Sequence, residues 1–465
     1  MSFTGAFKSQ FRIDGRDSTT NAIGAALPVR VGLIAVALVV FEMNRNVHAE
    51  GDTVVESEAC MEFSVLEKRR LLQHASATGR VADASNCVSE NPKAAGLGRL
   101  LFFDRRFSSN GEVACVTCHD PNRGWCDNRE VGVGIAKTRR NVPSLFDVSS
   151  QTWFFWDGRA DSLWSQALGP LENPGEHGGD RIGIMRLLVT EPGLKTKYEE
   201  LFGALPSHQE LQRFPKHGTP LRDSGHEYAF AWKSLSESDR EIVNIVFANV
   251  GKAIAAFVGT IRSGESSFDI FANGLRDDDR AKMSVISDAA KRGAKLFTGK
   301  ANCRTCHSGR FFSDGEFHSI GLSARNADEF VDSGRLYGIS HVMSDPFNRK
   351  GKYSDLPVGS IHTSVDRLVV DGSKWGQFKT PALRNIARTA PYMHDGRFRT
   401  LREVVEYYST MKGAAVLDHH EEEVLAPLRL KDHEIDDLVS FLETLTEVLP
   451  FDRSSILMPP DSSEN

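Results

Sequence analysis

Three observations predict a mainly α-helical chain of two tandem domains connected by long loops. Two pentapeptides of one form, Cys115-Val116-Thr117-Cys118-His119 and Cys303-Arg304-Thr305-Cys306-His307, begin 188 residues apart. Apolar residues recur at helical spacing ahead of the first pentapeptide and near the end of the chain. With 465 residues, 40% apolar and 25% charged, the chain can bury two cores of ordinary globular composition.

Each pentapeptide offers two thiols to bond the vinyl groups of a c-type haem and an adjacent imidazole to ligate its iron. A bare CxxC also suits a redox dithiol or half of a zinc site. A thioredoxin-like site needs no His after the second Cys, however, and a zinc site would need a further ligand pair. Two covalently bound haem c groups are therefore expected, one on Cys115, Cys118 and His119, the other on Cys303, Cys306 and His307. The wide spacing favours two cytochrome c-like haem domains over a multihaem wire with crowded sites.

In chain order, Arg30 precedes the apolar run 31–41, and Val47-His48-Ala49 has the small-x-small form of a cleavage site, so 1–49 reads as a signal peptide. The run is shorter than the roughly eighteen residues that span a bilayer, which predicts no stable membrane insertion after cleavage. Haem attachment to CxxCH takes place on the oxidising side of the membrane, so the expected compartment is the periplasm. Residues 50–90 form an N-terminal extension, in which Cys60 and Cys87 flank a helical stretch at 63–74 and are candidates for a disulfide. Cys126 is then the odd thiol, expected as a buried apolar residue beside the first haem.

The first haem domain is expected over 91–275, opening with a helix at 92–103, and Asp277-Asp278-Asp279 marks a solvated turn near the boundary. The second, over 276–450, closes with a helix whose Ile435, Leu438, Val439, Leu442 and Leu445 form one stripe, and 451–465 is expected as a flexible tail. Pro- and Gly-rich stretches at 169–179 and 354–376 are expected as loops, the second a surface insertion. The formal charge is −6, and removing the leader takes away five basic residues against three acidic ones, so nothing supports nucleic-acid binding.

Ordered blocks across nearly all of the mature sequence resemble the bacterial dihaem cytochrome c peroxidase and MauG superfamily. Before and after the first CxxCH stand Leu101-Phe102-Phe103-Asp104, Arg140-Asn141-Val142-Pro143-Ser144, Phe155-Trp156-Asp157-Gly158-Arg159-Ala160, Gln166-Ala167-Leu168-Gly169-Pro170 and Asn173-Pro174-Gly175-Glu176. After the second come Phe317-His318-Ser319-Ile320-Gly321, the block from Phe378 through Lys379-Thr380-Pro381 to Asn385, and Thr389-Ala390-Pro391-Tyr392-Met393-His394-Asp395-Gly396.

The resemblance implies a role for several residues. A peroxide-cleaving haem needs one open iron face and a carboxylate that moves a proton from the inner to the outer peroxide oxygen. Glu176 with Gln166 stands where the family has that acid/base pair, and Trp156 where it has the Trp between the haems. Asn141, with the carbonyls of Thr389 and Pro391, resembles the family's interdomain calcium site, whose oxygen ligands suit a hard cation.

Two departures point to the MauG-like branch. In the peroxidases a His between the first CxxCH and the Arg-Asn-x-Pro block caps the first haem until reduction of the second releases it. No His lies between His119 and Asn141 here, so the first haem is expected to be open. Typical peroxidases place a Met fourteen residues beyond the His corresponding to His394, and counting fourteen from His394 gives Tyr408, as in MauG-like proteins. A phenolate stabilises oxidised iron and suits storage of an oxidising equivalent.

MauG itself carries a surface Trp two residues before the second CxxCH, where this chain has Ala301, so holes are expected to leave through another aromatic, with Trp375 and Tyr337 the candidates. Ser85-Asn86 and Asn91-Pro92-Lys93-Ala94-Ala95 also resemble the MauG-type enzymes that accompany methanobactin-related and other copper-handling partners.

The resulting expectation is a periplasmic dihaem oxidoreductase that uses hydrogen peroxide to form a high-valent two-haem state and oxidises Trp or Tyr of a partner protein. The alternative is a peroxidase fed by a small cytochrome c or copper protein. A non-catalytic electron-transfer protein is disfavoured by the open-site residues.

Overall fold

The computed structural model describes residues 61–75, 82–220, 225–322, 332–357, 359–360, 363–415 and 425–448. The leader, the tail 451–465 and Cys60, with its candidate pairing to Cys87, lie outside them. Fifteen helices run through the described residues: α1 Val65–Leu72, α2 Pro92–Phe103, α3 Cys115–Cys118, α4 Leu163–Glu172, α5 Arg181–Thr190, α6 Pro192–Phe202, α7 Glu227–Ser234, α8 Glu237–Val258, α9 Ser267–Asp277, α10 Arg280–Met283, α11 Asp288–Thr298, α12 Arg335–Ser344, α13 Thr363–Asp366, α14 Leu401–Thr410 and α15 Asp432–Glu443. The described strands, β1 Phe317–His318 and β2 Phe378–Lys379, pair antiparallel. The mainly α expectation holds.

Two hydrophobic cores result. The first gathers Leu97 and Phe102 of α2, Trp164 and Leu168 of α4, and Val243, Phe247 and Phe257 of α8. The second gathers Phe268 and Phe271 of α9, Phe297 of α11, Phe312, and Leu438 and Phe441 of α15. α9 thus packs into the second core, ahead of the expected boundary at 276. Although α8 is long and apolar enough to cross a membrane, it is mostly buried, as a core helix is.

The chain crosses between the cores more than its order suggests. Leu71 of α1 belongs to the second core, whereas Asn86, from the same N-terminal extension, donates from Nδ2 to the Lys252 carbonyl of α8 at 3.0 Å. Phe347 and Tyr353, beyond the second haem motif, pack into the first core. Asp278, with φ of 55°, ends α9, and Asp279 caps α10, so the acidic triplet forms the expected turn.

Each core is built around one close helix crossing. A Cβ on Gly98 of α2 would lie 1.9 Å from the Ala253 carbonyl oxygen of α8, and a Cβ on Gly293 of α11 would lie 1.9 Å from the Asp437 carbonyl oxygen of α15. Four residues further along, Phe102 meets Phe257 with ring centroids 5.2 Å apart, and Phe297 meets Phe441 at 5.1 Å. These crossings form the same joint twice.

A second repeat runs without a gap from Pro143–Pro170 to Pro381–Tyr408, at an offset of 238 residues. Left-handed backbone recurs at Asp147 and Asn385, at Phe155 and Met393, and at Gly158 and Gly396. The isolated bridge Phe154 to Ala160 matches Tyr392 to Phe398. α4, capped by the Ser162 hydroxyl, matches α14, capped by Thr400. The two copies meet at Ser263, whose hydroxyl donates to Asp147 Oδ2 and accepts from Asn385 Nδ2 at 2.9 Å.

Candidate functional site

Between the cores lies one cavity of about 910 Å³ whose wall carries both CxxCH motifs. Cys118 and His119 line one end, and Cys303, Cys306 and His307 the other. Asn141, Trp156, Gln166, Glu176, Thr389, Pro391 and Tyr408 all stand on the same wall. Residues up to 290 positions apart in the chain are thus brought to one space. Cys115, the other thiol of the first motif, opens α3 beside it.

The two histidines are prepared alike for an iron. His119 Nδ1 lies 3.0 Å from the Trp125 carbonyl oxygen, and His307 Nδ1 lies 2.8 Å from that of Phe312. A carbonyl only accepts, so Nδ1 carries the proton in each and Nε2 keeps the lone pair that binds metal. Trp125 and Phe312 are both fully buried and both have positive φ, which turns their carbonyls toward the rings. Burial lowers the pKa of His119 to about 4 and lowers that of His307, keeping both neutral as ligands must be.

Positive charge on the wall also fits two carboxylate-bearing haems. Arg140, Arg159 and Lys379 stand there, and burial pulls the Lys379 ammonium down to about 8, so an anion beside it would be welcome. Lys379 and Arg159 lie inside the sequence blocks that resemble the family, but a basic residue in a motif gives no sign of which way it points.

Glu176 sits on a short loop tied to a hairpin. Its carbonyl accepts from Ile135 N at 2.9 Å, Gly175 accepts from Ala136 N at 3.0 Å, and Asn173 Nδ2 donates to Glu176 Oε1 at 2.7 Å. Val133 of that hairpin reaches back to the first motif, its carbonyl oxygen 3.7 Å from Cys118 Sγ. Burial raises the Glu176 pKa, and Arg159 opposes the rise.

The loop is shorter than the sequence suggested. Residues 169–172 are the last turn of α4 despite Gly169 and Pro170, because Ser162 caps the helix and Leu163, Leu168 and Leu171 pull one face into the first core. Pro170 has no N–H to offer the Gln166 carbonyl four residues back. Among its described residues, the stretch 354–376 likewise holds α13 and a 3-10 turn, Gly372–Lys374.

Trp156 is fixed on the cavity wall by two hydrogen bonds. Its Nε1 donates to the Asn141 carbonyl at 2.9 Å, and its own carbonyl accepts from Lys379 N at 2.8 Å. Asn141 Nδ2 donates to the Arg129 carbonyl at 2.8 Å, which turns the side-chain oxygen the other way. Asn141, Thr389 and Pro391 share the cavity wall, and the oxygens they carry are of the kind that binds a hard cation.

Tyr407 and Tyr408 part company at the end of α14. The Tyr407 hydroxyl donates to the Ile320 carbonyl at 2.6 Å, while Tyr408 lines the cavity near Cys303 and Cys306. Burial, with those thiols beside it, raises the Tyr408 pKa. Ala301 is buried on the cavity wall, and Tyr337 stands on the wall with 41% of its surface exposed. Trp375 is half-buried and is not among the wall residues.

Comparison with known proteins identifies the family. The family model for di-haem cytochrome c peroxidase matches residues 92–277. The methylamine utilization protein MauG of Methylorubrum extorquens is 34% identical over 76% of this chain and 78% of its own length. A cytochrome-c peroxidase, IdrP2, from a Pseudomonas species is 31% identical over 77% and 82%. Among solved structures, a MauG-like protein associated with microbial copper homeostasis superposes with a TM-score of 0.54 at 25% identity, over 83% of this chain and 97% of that one. The diheme peroxidase BthA of Burkholderia thailandensis shares the fold, with a TM-score of 0.57 at 22% identity over 84% and 93%. With two CxxCH motifs on one cavity and relatives matched over most of their length, this chain belongs to the di-haem cytochrome c peroxidase family of haem-dependent oxidoreductases.

Proposed function

We propose that this protein is a periplasmic dihaem enzyme of MauG type, which uses hydrogen peroxide to oxidise Trp or Tyr side chains of a partner protein. The observation that carries the reading is the internal repeat: Tyr408 faces the second motif at the position where the first copy has Pro170. One site thus has a side chain able to close its second iron face, and the equivalent position of the other has none. The lack of any His between His119 and Asn141 supports an open first site. The 34% identity to a MauG agrees, although peroxidases of the family stand nearly as close.

Bound haem supplies the iron at which the peroxide O–O bond breaks and a second iron that takes up an oxidising equivalent. The chain does the rest. His119 and His307 would hold the two irons through Nε2, and the four motif cysteines would fix the haems covalently. The Glu176 carboxylate takes the proton from the inner peroxide oxygen and returns it at the outer one, so that water leaves, while the Gln166 amide orients the peroxide. Trp156 relays electrons along the cavity. The Tyr408 phenolate oxygen closes the second site. Asn141, Thr389 and Pro391 would hold calcium across the two halves, which we take as two haem domains, the second beginning with α9 rather than at 276.

Electron paramagnetic resonance of the untreated oxidised protein tests this. One high-spin and one low-spin haem are expected, with peroxide consumed without prior reduction. Two low-spin signals, with turnover that depends on a reduced small cytochrome or copper protein, would return the chain to the peroxidase reading.

A further inference from the structure

We propose that Tyr337 is the exit through which oxidising equivalents leave the cavity for the partner protein. This rests on the MauG-type reading and adds the site at which it meets its substrate. Of the Trp and Tyr side chains on the cavity wall, Trp156, Tyr337, Tyr392 and Tyr408, only these four are candidates for one-electron oxidation at a bare ring. Tyr392 is buried with its hydroxyl donating to the Ile386 carbonyl at 3.1 Å, and Trp156 and Tyr408 are half-buried on the wall, less exposed than Tyr337. Tyr337 is 41% exposed and so faces the cavity and the solvent at once.

Its helix is docked on the bridge residue. A Cβ on Gly338 would lie 1.9 Å from the Asp157 carbonyl oxygen, so the backbone of α12 touches the residue that follows Trp156. Arg335 Nη1 donates to the Gly158 carbonyl at 2.8 Å, and its guanidinium lies over the rings of Trp153 and Phe317 at 4.1 and 3.9 Å. Arg335 N donates to Gln377 O at 2.8 Å, two residues before the Lys379 N–H that holds the Trp156 carbonyl. The first turn of α12 is therefore rigid against the Trp156 segment, and Tyr337 rides on it.

The electron count closes. Hydrogen peroxide takes two electrons and two protons to become two waters, and both electrons come from the haem pair. Tyr337 returns one electron to the cavity and loses its phenolic proton to bulk water at the exposed hydroxyl, leaving a neutral tyrosyl radical. The radical recovers a hydrogen atom, one electron with one proton, from a phenol or indole side chain of the partner. Two such passes restore the resting enzyme.

The test uses the haem-loaded oxidised protein, hydrogen peroxide and the spin trap 5,5-dimethyl-1-pyrroline N-oxide, with adducts located by peptide mass spectrometry. We expect the adduct on Tyr337 in the parent protein. In Tyr337→Phe it should vanish from that peptide, while the haem spectra are unchanged and the oxidised state reached with peroxide decays several-fold more slowly. Trp375→Phe serves as the control and should behave as the parent. Normal storage with an adduct on Trp375, or decay in Tyr337→Phe at the parental rate, would overturn the exit alone. Peroxide consumption only after reduction, with no adduct anywhere, would overturn the exit together with the reading beneath it.

Discussion

The two ends of the cavity are built to the same plan, and three of the differences between them bear on what each can do. Both have a close glycine crossing, a buried aromatic whose carbonyl fixes the ligand His, and a capped helix that runs along the cavity wall. In the first copy that segment carries Trp156, Gln166 and Pro170, and in the second, at the same offset, it carries His394, Val404 and Tyr408. The first set offers a polar amide, an oxidisable indole and, at Pro170, no side chain able to ligate. The second offers an apolar residue and a phenol. In the function proposed above, equivalent backbones would thus give one site to bind and cleave and one to hold, with the division of labour set by the side chains they present.

The strongest way to break this comparison is to erase its largest difference. Tyr408→Phe should abolish the oxidised state that persists after peroxide and change the low-spin signal of the second haem, while both haems stay covalently attached. Unchanged spectra in stopped-flow absorbance and paramagnetic resonance would remove Tyr408 from the ligands. Next in size, Glu176→Gln should slow the peroxide reaction by roughly 10²–10⁴-fold with haem content unchanged, the range typical of general acid/base help.

The pH dependence sharpens the same point. Burial raises the Glu176 pKa, so the carboxylate form that accepts the first proton is lost at a higher pH than for an exposed Glu. The acid limb of the rate should therefore begin above the ordinary carboxylate range. Arg159→Gln, which removes the opposing charge, should move that limb higher still. A limb that stays in place would detach Glu176 from the rate.

The converse exchange gives the first site what the second has. Pro170→Tyr restores a backbone N–H to α4 and sets a phenol at the position equivalent to Tyr408. The high-spin signal should diminish and the peroxide reaction slow. An untouched high-spin signal would show that the two positions are equivalent in backbone alone.

How much of this the sequence disclosed depends on the range of the signal. The haem motifs were legible because five contiguous residues carry the chemistry, and α2 because Asn91 and Pro92 mark its start and Asp104 its end within a single apolar run. The end of α4 was not legible: Gly169 and Pro170 read locally as loop, and only packing in the first core overrides them. The repeat was hidden because its copies share only six identical residues, at 143, 145, 157, 158, 159 and 163, while backbone conformation is what they preserve. The cavity joined the expected site residues, but the exposure of Tyr337 on its wall depends on how α12 docks, and no local pattern reports that.

A smaller effect should fall equally on both halves. Gly98→Ala and Gly293→Ala each force a Cβ toward a carbonyl oxygen 1.9 Å away, so each crossing must open. Each change should cost about 1–3 kcal/mol, the usual penalty of overpacking a core. Calorimetry of the two variants should give similar losses. A large loss from one and none from the other would mean that the two joints, alike in geometry, carry unequal shares of the stability.

The smallest expected effect concerns the seam between the halves. Asn141 comes from the first half, Thr389 and Pro391 from the second, and the Asn141 carbonyl also receives the Trp156 indole N–H at 2.9 Å. A cation held by these oxygens would tie the halves together and, through Asn141, hold the ring of Trp156 in place. Chelation should then lower the thermal midpoint, since a ligand that binds only the folded state stabilises it by mass action. It should also broaden the low-spin haem signal without releasing haem, and added calcium should reverse both changes. Asn141→Ala should reproduce the chelated state and no longer respond to calcium. If chelator and metal leave the parent protein unchanged, the seam is held by the chain alone, through the backbone bond from Asn141 N to the His394 carbonyl at 2.8 Å and the Arg140 ion pairs with Asp157 and Asp332.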